Sequence, residues 1–202
     1  MVAINKLFKY ILLLTFLALS SCATPQMTQR GLDAADAMWG LENKKLKKTL
    51  LIKYFKISKT VAFNALTMTF SELGMTIENA DKETGIMYAT AQAPTPLTPT
   101  EWSQVKKIEE PRLRAIARKS VDPISASLFT LDPSDRQIRM NAIVLERKND
   151  VQVQLNFSMI YTARPYGMIY GKEVPTKAVE MGGRKFWDAF ERAVLIQGKT
   201  LE

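Results

Sequence analysis

The strongest alternation in the chain runs from Val151 to Tyr161. Val151, Val153, Leu155, Phe157 and Met159 fall on one side, and Gln152, Gln154, Asn156 and Ser158 on the other. A period of two predicts a strand with one buried and one wet face. Gln137–Arg147 repeats the pattern with Ile138, Met140, Ala142 and Val144. Ile124–Leu131 predicts a strand before it, and DPSD and KND supply the turns of an antiparallel meander. Upstream, Thr49–Ser58 predicts a first strand with Leu51, Phe55 and Ile57 on one face and Lys53 between them. Met75–Asn79 and Ile86–Ala91 predict two more, joined by the turn DKETG.

The period changes to helical between these strands. Ala62, Ala65, Leu66, Thr69, Phe70 and Leu73 recur at helix spacing, with Ser58 or Thr60 as the cap and Gly74 as the stop. The stretch TKAVEMGGRKFWDAFERAVLIQG predicts a long terminal helix lying across the sheet. Its stripe is Ala178, Met181, Phe186, Ala189, Phe190, Ala193 and Val194, widened by Trp187, and Gly182-Gly183 marks a kink or division. The stretch after Pro111 reads as a short helix, with Leu113, Ile116 and Ala117 inward, or alternatively as extended pieces. Three prolines make Pro94–Trp102 a connection across the surface. Residues 32–48 read as a weak helix with Ala34, Ala37, Met38 and Leu41 on its apolar side. The sum is an α+β fold: one domain over residues 49–202, an antiparallel sheet packed against helices, and a long C-terminal helix.

The first 21 residues follow a different rule. Lys6 and Lys9 give a positive start, Ile11–Leu19 is apolar apart from Thr15, and Ser20, Ser21 and Cys22 follow. That order makes a secretory signal, and the apolar run is shorter than the roughly 20 residues of a membrane span. LSSC resembles the lipobox of bacterial lipoproteins. The resemblance implies a diacylglycerol on the Cys22 thiol, cleavage before Cys22 and acylation of the new amino terminus. Ala23, rather than aspartate, implies sorting to the periplasmic face of the outer membrane. Residues 22–48 are then the lipidated N-terminus and tether.

Composition narrows the function. The chain has no histidine and one cysteine, which excludes histidine triads and an intrachain disulfide framework. No phosphate-binding, zinc-protease or nucleophile-elbow motif occurs, and no cofactor or metal site is expected. The net charge of +8 becomes +6 once Lys6 and Lys9 are removed, leaving 26 basic against 20 acidic residues. Lys44, Lys45, Lys47 and Lys48 cluster. A solvated face or contact with anionic lipid suits them, and a nucleic-acid partner does not fit an exported chain without a recognition motif. The carboxylates Glu109-Glu110 and Asp132/Asp135 sit near expected turns or surface segments. Glu78, Asp81 and Glu83 lack the loop of a calcium site.

VAFNALTMTFSELGMTIENADKETGIMYAT, the meander and a terminal helix containing FWDAFERAV resemble the helix-grip domains of BamC-like lipoproteins of the outer-membrane barrel assembly machine. The resemblance implies a single helix-grip-like domain here. The expected function is a non-catalytic, membrane-anchored envelope lipoprotein that serves as a protein-interaction or assembly accessory module. Trp102, Tyr166, Tyr170 and the outer face of the sheet are the expected contacts with an envelope protein partner. A carrier of lipid or a small apolar ligand, and a structural link between outer membrane and cell wall, are the alternatives.

Overall fold

A computed structural model describes residues 25–134, 136–161 and 173–198. Its elements are α1 (Pro25–Thr49), β1 (Ile52–Phe55), α2 (Lys59–Glu72), β2 (Thr76–Asp81), β3 (Ile86–Gln92), α3 (Pro99–Ala117), α4 (Pro123–Ser127), β4 (Arg136–Glu146), β5 (Val151–Tyr161) and α5 (Thr176–Ile196). The fold is α+β, as the pattern predicts. Five antiparallel strands run in the order β1-β5-β4-β3-β2.

β4 and β5 form the centre and pair along their whole length, from Arg136↔Tyr161 to Glu146↔Val151. Ile138, Met140, Ala142 and Val144 of β4 and Val151, Val153, Leu155 and Met159 of β5 are buried on the inner face. Met87 and Ala89 of β3 extend that face, opposite Ala142 and Met140.

α5 lies on this face and carries most of the core. Phe186, Trp187, Phe190, Ala193 and Val194 are buried along it. Phe186 and Trp187 meet edge to face at 5.2 Å, and Phe55 of β1 reaches Phe190 at 5.0 Å. Such pairs add about 0.5–1.5 kcal/mol beyond their buried area. The Trp187 indole N–H donates to the Leu50 carbonyl, so the ring is buried without an orphaned donor. The glycine pair does not divide the helix. A Cβ at Gly183 would stand 2.9 Å from Leu51 Cδ2 and one at Gly182 3.2 Å from Phe157 Cε1, so the pair lets α5 approach the sheet closely.

α2 packs beside α5, with Phe70 and Phe186 5.6 Å apart. Ser58 caps it as expected, its Oγ accepting from the Val61 N–H. Three segments depart from the sequence reading. α3 starts at Pro99, twelve residues before Pro111, because Thr98 and Glu101 form a reciprocal capping box. No strand forms over Ile124–Leu131: Ile124–Ser127 belong to the short helix α4, Leu128 follows as its C-cap, and residues 129–131 are irregular. Asp122 accepts from the Ile124 and Ser125 amides, Pro123 occupies the first turn, and Ile124 and Leu128 are left 73% and 75% exposed.

The third departure is α1. The helix starts at Pro25, and Ala35 and Trp39 belong to the main core, so residues 25–48 are docked on the body rather than forming a free tether. The buried line is Gly31, Ala35 and Trp39, while Ala34, Ala37 and Leu41 face outward.

One buried carboxylate joins three helices. Glu109 of α3 is 1% exposed. Its Oε2 accepts from the Trp39 indole of α1 at 3.1 Å and from Arg112 at 2.8 Å, while Oε1 accepts from the Lys177 amide at 2.8 Å. Lys177 lies in the first turn of α5, whose cap residue Pro175 has no side-chain acceptor to offer. Glu109 therefore takes the place of an N-cap, where a negative charge also suits the helix dipole. Arg112 extends the link to Glu42 of α1. Burial alone would raise the Glu42 carboxyl, but the hydrogen bond from Arg112 and the charges of Arg112 and Lys45 hold it below the ordinary range. The same balance, through Lys185 and Thr98, lowers Glu101. Glu180 is lowered chiefly by its hydrogen bond from Lys177.

Glu109→Ala should cost about 3–5 kcal/mol, because Arg112, Trp39 and the start of α5 lose their common acceptor. Urea unfolding followed by tryptophan fluorescence measures this, and a loss below about 1 kcal/mol would remove Glu109 from its structural role.

Gly85 provides a second test. Its φ is +76° and a Cβ there would lie 2.2 Å from the Val144 carbonyl oxygen, a backbone atom that cannot turn away. Gly74, at φ +70°, has Thr95 Cγ2 no nearer than 3.9 Å. Gly85→Ala should cost about 3 kcal/mol or more, strain plus clash, against about 1 kcal/mol of strain for Gly74→Ala in the same unfolding assay.

The depressed carboxyls set the response to acid. A lowered folded value means stability present above the ordinary glutamate value of 4.5 and lost as pH falls through the lower folded values. Without histidine, unfolding free energy should stay nearly level from about pH 6 to 8 and fall below about pH 4.5. A series of urea titrations across that range checks both parts.

Candidate interaction surface

The helices and the sheet share one core, and the opposite face of the sheet is covered by none of the described helices. Strand register arranges its outward side chains in rows. Tyr54, Gln152 and Leu145 form the first, and Ile52, Gln154, Ile143 and Ile86 the second. Asn156, Asn141 and Tyr88 form the third, and Ser158, Arg139, Thr90 and Thr76 the fourth. Tyr54 and Leu145 are 54% and 45% exposed.

The rows differ in chemistry. The fourth is tied together: the Thr90 hydroxyl donates to Glu78 Oε1 at 2.8 Å, and Arg139 stands 3.6 Å from Glu78 Oε2. The third places two carboxamides opposite each other. The first two combine Ile, Leu and Tyr with glutamines. Arg147 lies over the Tyr54 ring at 5.2 Å and donates to Gln152 Oε1 at 3.3 Å. Amides and hydroxyls among half-exposed aliphatic and aromatic groups suit recognition of another protein, where apolar area and hydrogen bonds act together.

A recess adjoins this face at the edge of β5. Asn43, Lys44, Lys47, Asn156 and Glu173 line it with Leu51, Phe157 and Val179, around about 200 Å³. That is less room than the roughly 300–1,000 Å³ of a typical small-molecule site. Asn43 Nδ2 donates to Glu173 Oε2 at 3.1 Å and to the Val174 carbonyl at 3.0 Å. Lys44, Lys45 and Lys48 stand exposed at the end of α1.

The residues expected as contacts divide sharply. Cys22, Tyr166 and Tyr170 lie outside the described residues. Trp102 is no surface contact: it is 3% exposed within α3, and its indole N–H donates to the Leu131 carbonyl at 3.0 Å. The signal for that was present as Thr98-Pro99-Thr100-Glu101, a capping-box spacing with proline in the first turn, which makes Trp102 helical. Among the described residues, Tyr54 of β1 and Tyr88 of β3 are aromatics on the outer face.

Of the carboxylate pairs, Glu109, Glu110 and Asp132 are committed to structure, and Asp135 lies outside the described residues. Glu110 accepts from Arg114 and from the Leu131 amide, both at 3.0 Å. Asp132 accepts from the Ser134 amide. Asp81 turns back to the Glu83 and Thr84 amides, and those hydrogen bonds, Thr84's first, hold its carboxyl below the ordinary range. Among the described residues no three potential metal ligands converge, and no helix is long and apolar enough to cross a membrane. Comparison with known protein families and with curated proteins finds no match to this chain.

Proposed function

We propose that this chain is a non-catalytic envelope lipoprotein, held at the periplasmic face of the outer membrane through acyl chains on Cys22, which offers the outer face of its sheet to an envelope protein partner. The observation that carries the partner reading is the one-sidedness of the sheet, with five described helices elsewhere and Tyr54, Ile52, Ile143, Leu145 and Tyr88 on the other face. The anchor reading draws on LSSC, and the assembly-accessory role on the resemblance to BamC-like helix-grip domains.

The carrier alternative is less favoured. Between β4, β5, α3 and α5, the apolar space lined by Leu97, Trp102, Ile138, Phe157 and Ala178 amounts to about 10 Å³. That is about one water molecule, not a lipid chain.

Photo-crosslinking in intact cells tests the proposal. A crosslinking residue at Tyr54 or Tyr88 should give one discrete higher-mass species, and the same residue at exposed Ile108 on α3 should not. Equal, diffuse labelling from all three positions would end the claim for the sheet face. Cys22→Ser should release the mature body from the membrane fraction, and its retention there would end the claim for the anchor.

A further inference from the structure

The most exposed large aliphatic side chains of α4 stand at the end of the body where α1 begins. Ile124 and Leu128 are 73% and 75% exposed. Ala126, on the other side of this short helix, packs with Ala117, Val121 and Phe129. Phe129 and Ala117 in turn flank Gly31, near the start of α1: a Cβ there would stand 3.1 Å from the Phe129 ring and 3.6 Å from Ala117 Cα. Two large aliphatic groups turned to solvent on one short helix stabilise nothing within the fold, since burying them would contribute and exposing them does not.

The anchor end of the chain lies close by. Cys22 is three residues before Pro25, and three residues span at most about 11 Å. Gly31 is six residues further, about 9 Å along the helix. Acyl chains on Cys22 would therefore lie within about 20 Å of Gly31, which leaves α4 within reach of the bilayer. Charge agrees with that placement. Arg30 on α1 and Arg118 and Lys119 between α3 and α4 are exposed. The nearby acids are Asp122, turned to the Ile124 and Ser125 amides, and Asp33 on α1, which accepts from Gln29 at 2.8 Å, so the three cations outnumber them.

We propose that α4 is a membrane-seating element: Ile124 and Leu128 enter the acyl region beside the anchor, while Arg30, Arg118 and Lys119 meet anionic phospholipid head groups. This rests on the lipoprotein reading of Cys22. Apolar tips beside cations are the composition that holds proteins in a bilayer interface, and a second contact beside acyl chains fixes orientation as well as attachment. The body is thereby held in one attitude on the membrane instead of swinging about its lipid.

The test uses the acylated protein reconstituted in phosphatidylethanolamine/phosphatidylglycerol vesicles, with an environment-sensitive fluorophore at Leu128→Cys. Tyr54→Cys, on the sheet, is the comparison. The expected result is quenching of the Leu128 probe by lipids bearing a quencher in the acyl chain, no such loss at Tyr54, and weaker quenching when Arg30, Arg118 and Lys119 are all changed to Gln. If the protein floats with the vesicles and its N-terminal peptide carries acyl chains, yet the Leu128 probe behaves as the Tyr54 probe does, the seating of α4 is overturned and the anchor stands. If the peptide carries no acyl chain, the anchor reading falls by itself. The same two probes in a Cys22→Ser background, added to preformed vesicles, then decide α4: quenching at Leu128 alone supports it, and equal behaviour overturns it. Ile124→Ser/Leu128→Ser, both at exposed positions, should leave the unfolding midpoint unchanged while abolishing probe quenching from a Ser127→Cys label.

Discussion

The arrangement of the helices depends on the Glu109 carboxylate. A buried carboxylate is costly unless its oxygens are occupied, and here donors from α1, α3 and α5 occupy them. The energetic gain of such a buried group over a well-packed apolar one is small or negative. Its contribution is positional. Only one turn of α1 brings the Trp39 indole to Oε2, and only one placement of α5 brings the Lys177 amide to Oε1. The link sets which faces of α1 and α5 meet the rest of the core.

Those settings shape both candidate surfaces. α5 is pressed against the sheet through the glycine pair and the Phe55, Phe186, Trp187 and Phe190 cluster, so the inner face is filled with side chains. With the described helices committed to that core, the other face of the sheet keeps its alternate residues in outward rows that are mostly half-buried, with Tyr54 and Leu145 among those exposed and Thr90 buried. Its mixed chemistry, tied polar groups at one end and aliphatic and aromatic groups at the other, is why we assign the partner contact there.

The docking of α1 changes how an anchored body would behave. A long free tether lets a domain sample many orientations and distances. With α1 helical from Pro25 and buried at Gly31, Ala35 and Trp39, the stretch between Cys22 and helical structure is only a few residues. A lipid at Cys22 would then act on the folded body directly. The exposed aliphatic groups of α4 gain their proposed role from that proximity.

Sequence patterning by itself determined the elements whose partners are predictable from their own period. β4 and β5 alternate cleanly because each strand has one face on the core, α2 has its cap at Ser58, and the α5 stripe is continuous and aromatic. LSSC supplied the anchor proposal without any structure. Only the tertiary structure decided the rest. Leu41 of α1 is more apolar than Gly31 or Ala35, and Ala34 and Ala37 match Ala35, yet the close approach of Phe129 and the acceptor on Glu109 draw the Gly31, Ala35 and Trp39 line inward. Ile124–Leu131 has strand-like residues, but Asp122 and Pro123 start a helical turn that its apolar pattern does not announce. Trp102 looked like a loop aromatic until α3 carried it into the core. In each case local hydrophobicity ranks the candidates, while burial is settled by which surface and which hydrogen-bond acceptor lie opposite, and that is a property of distant parts of the chain.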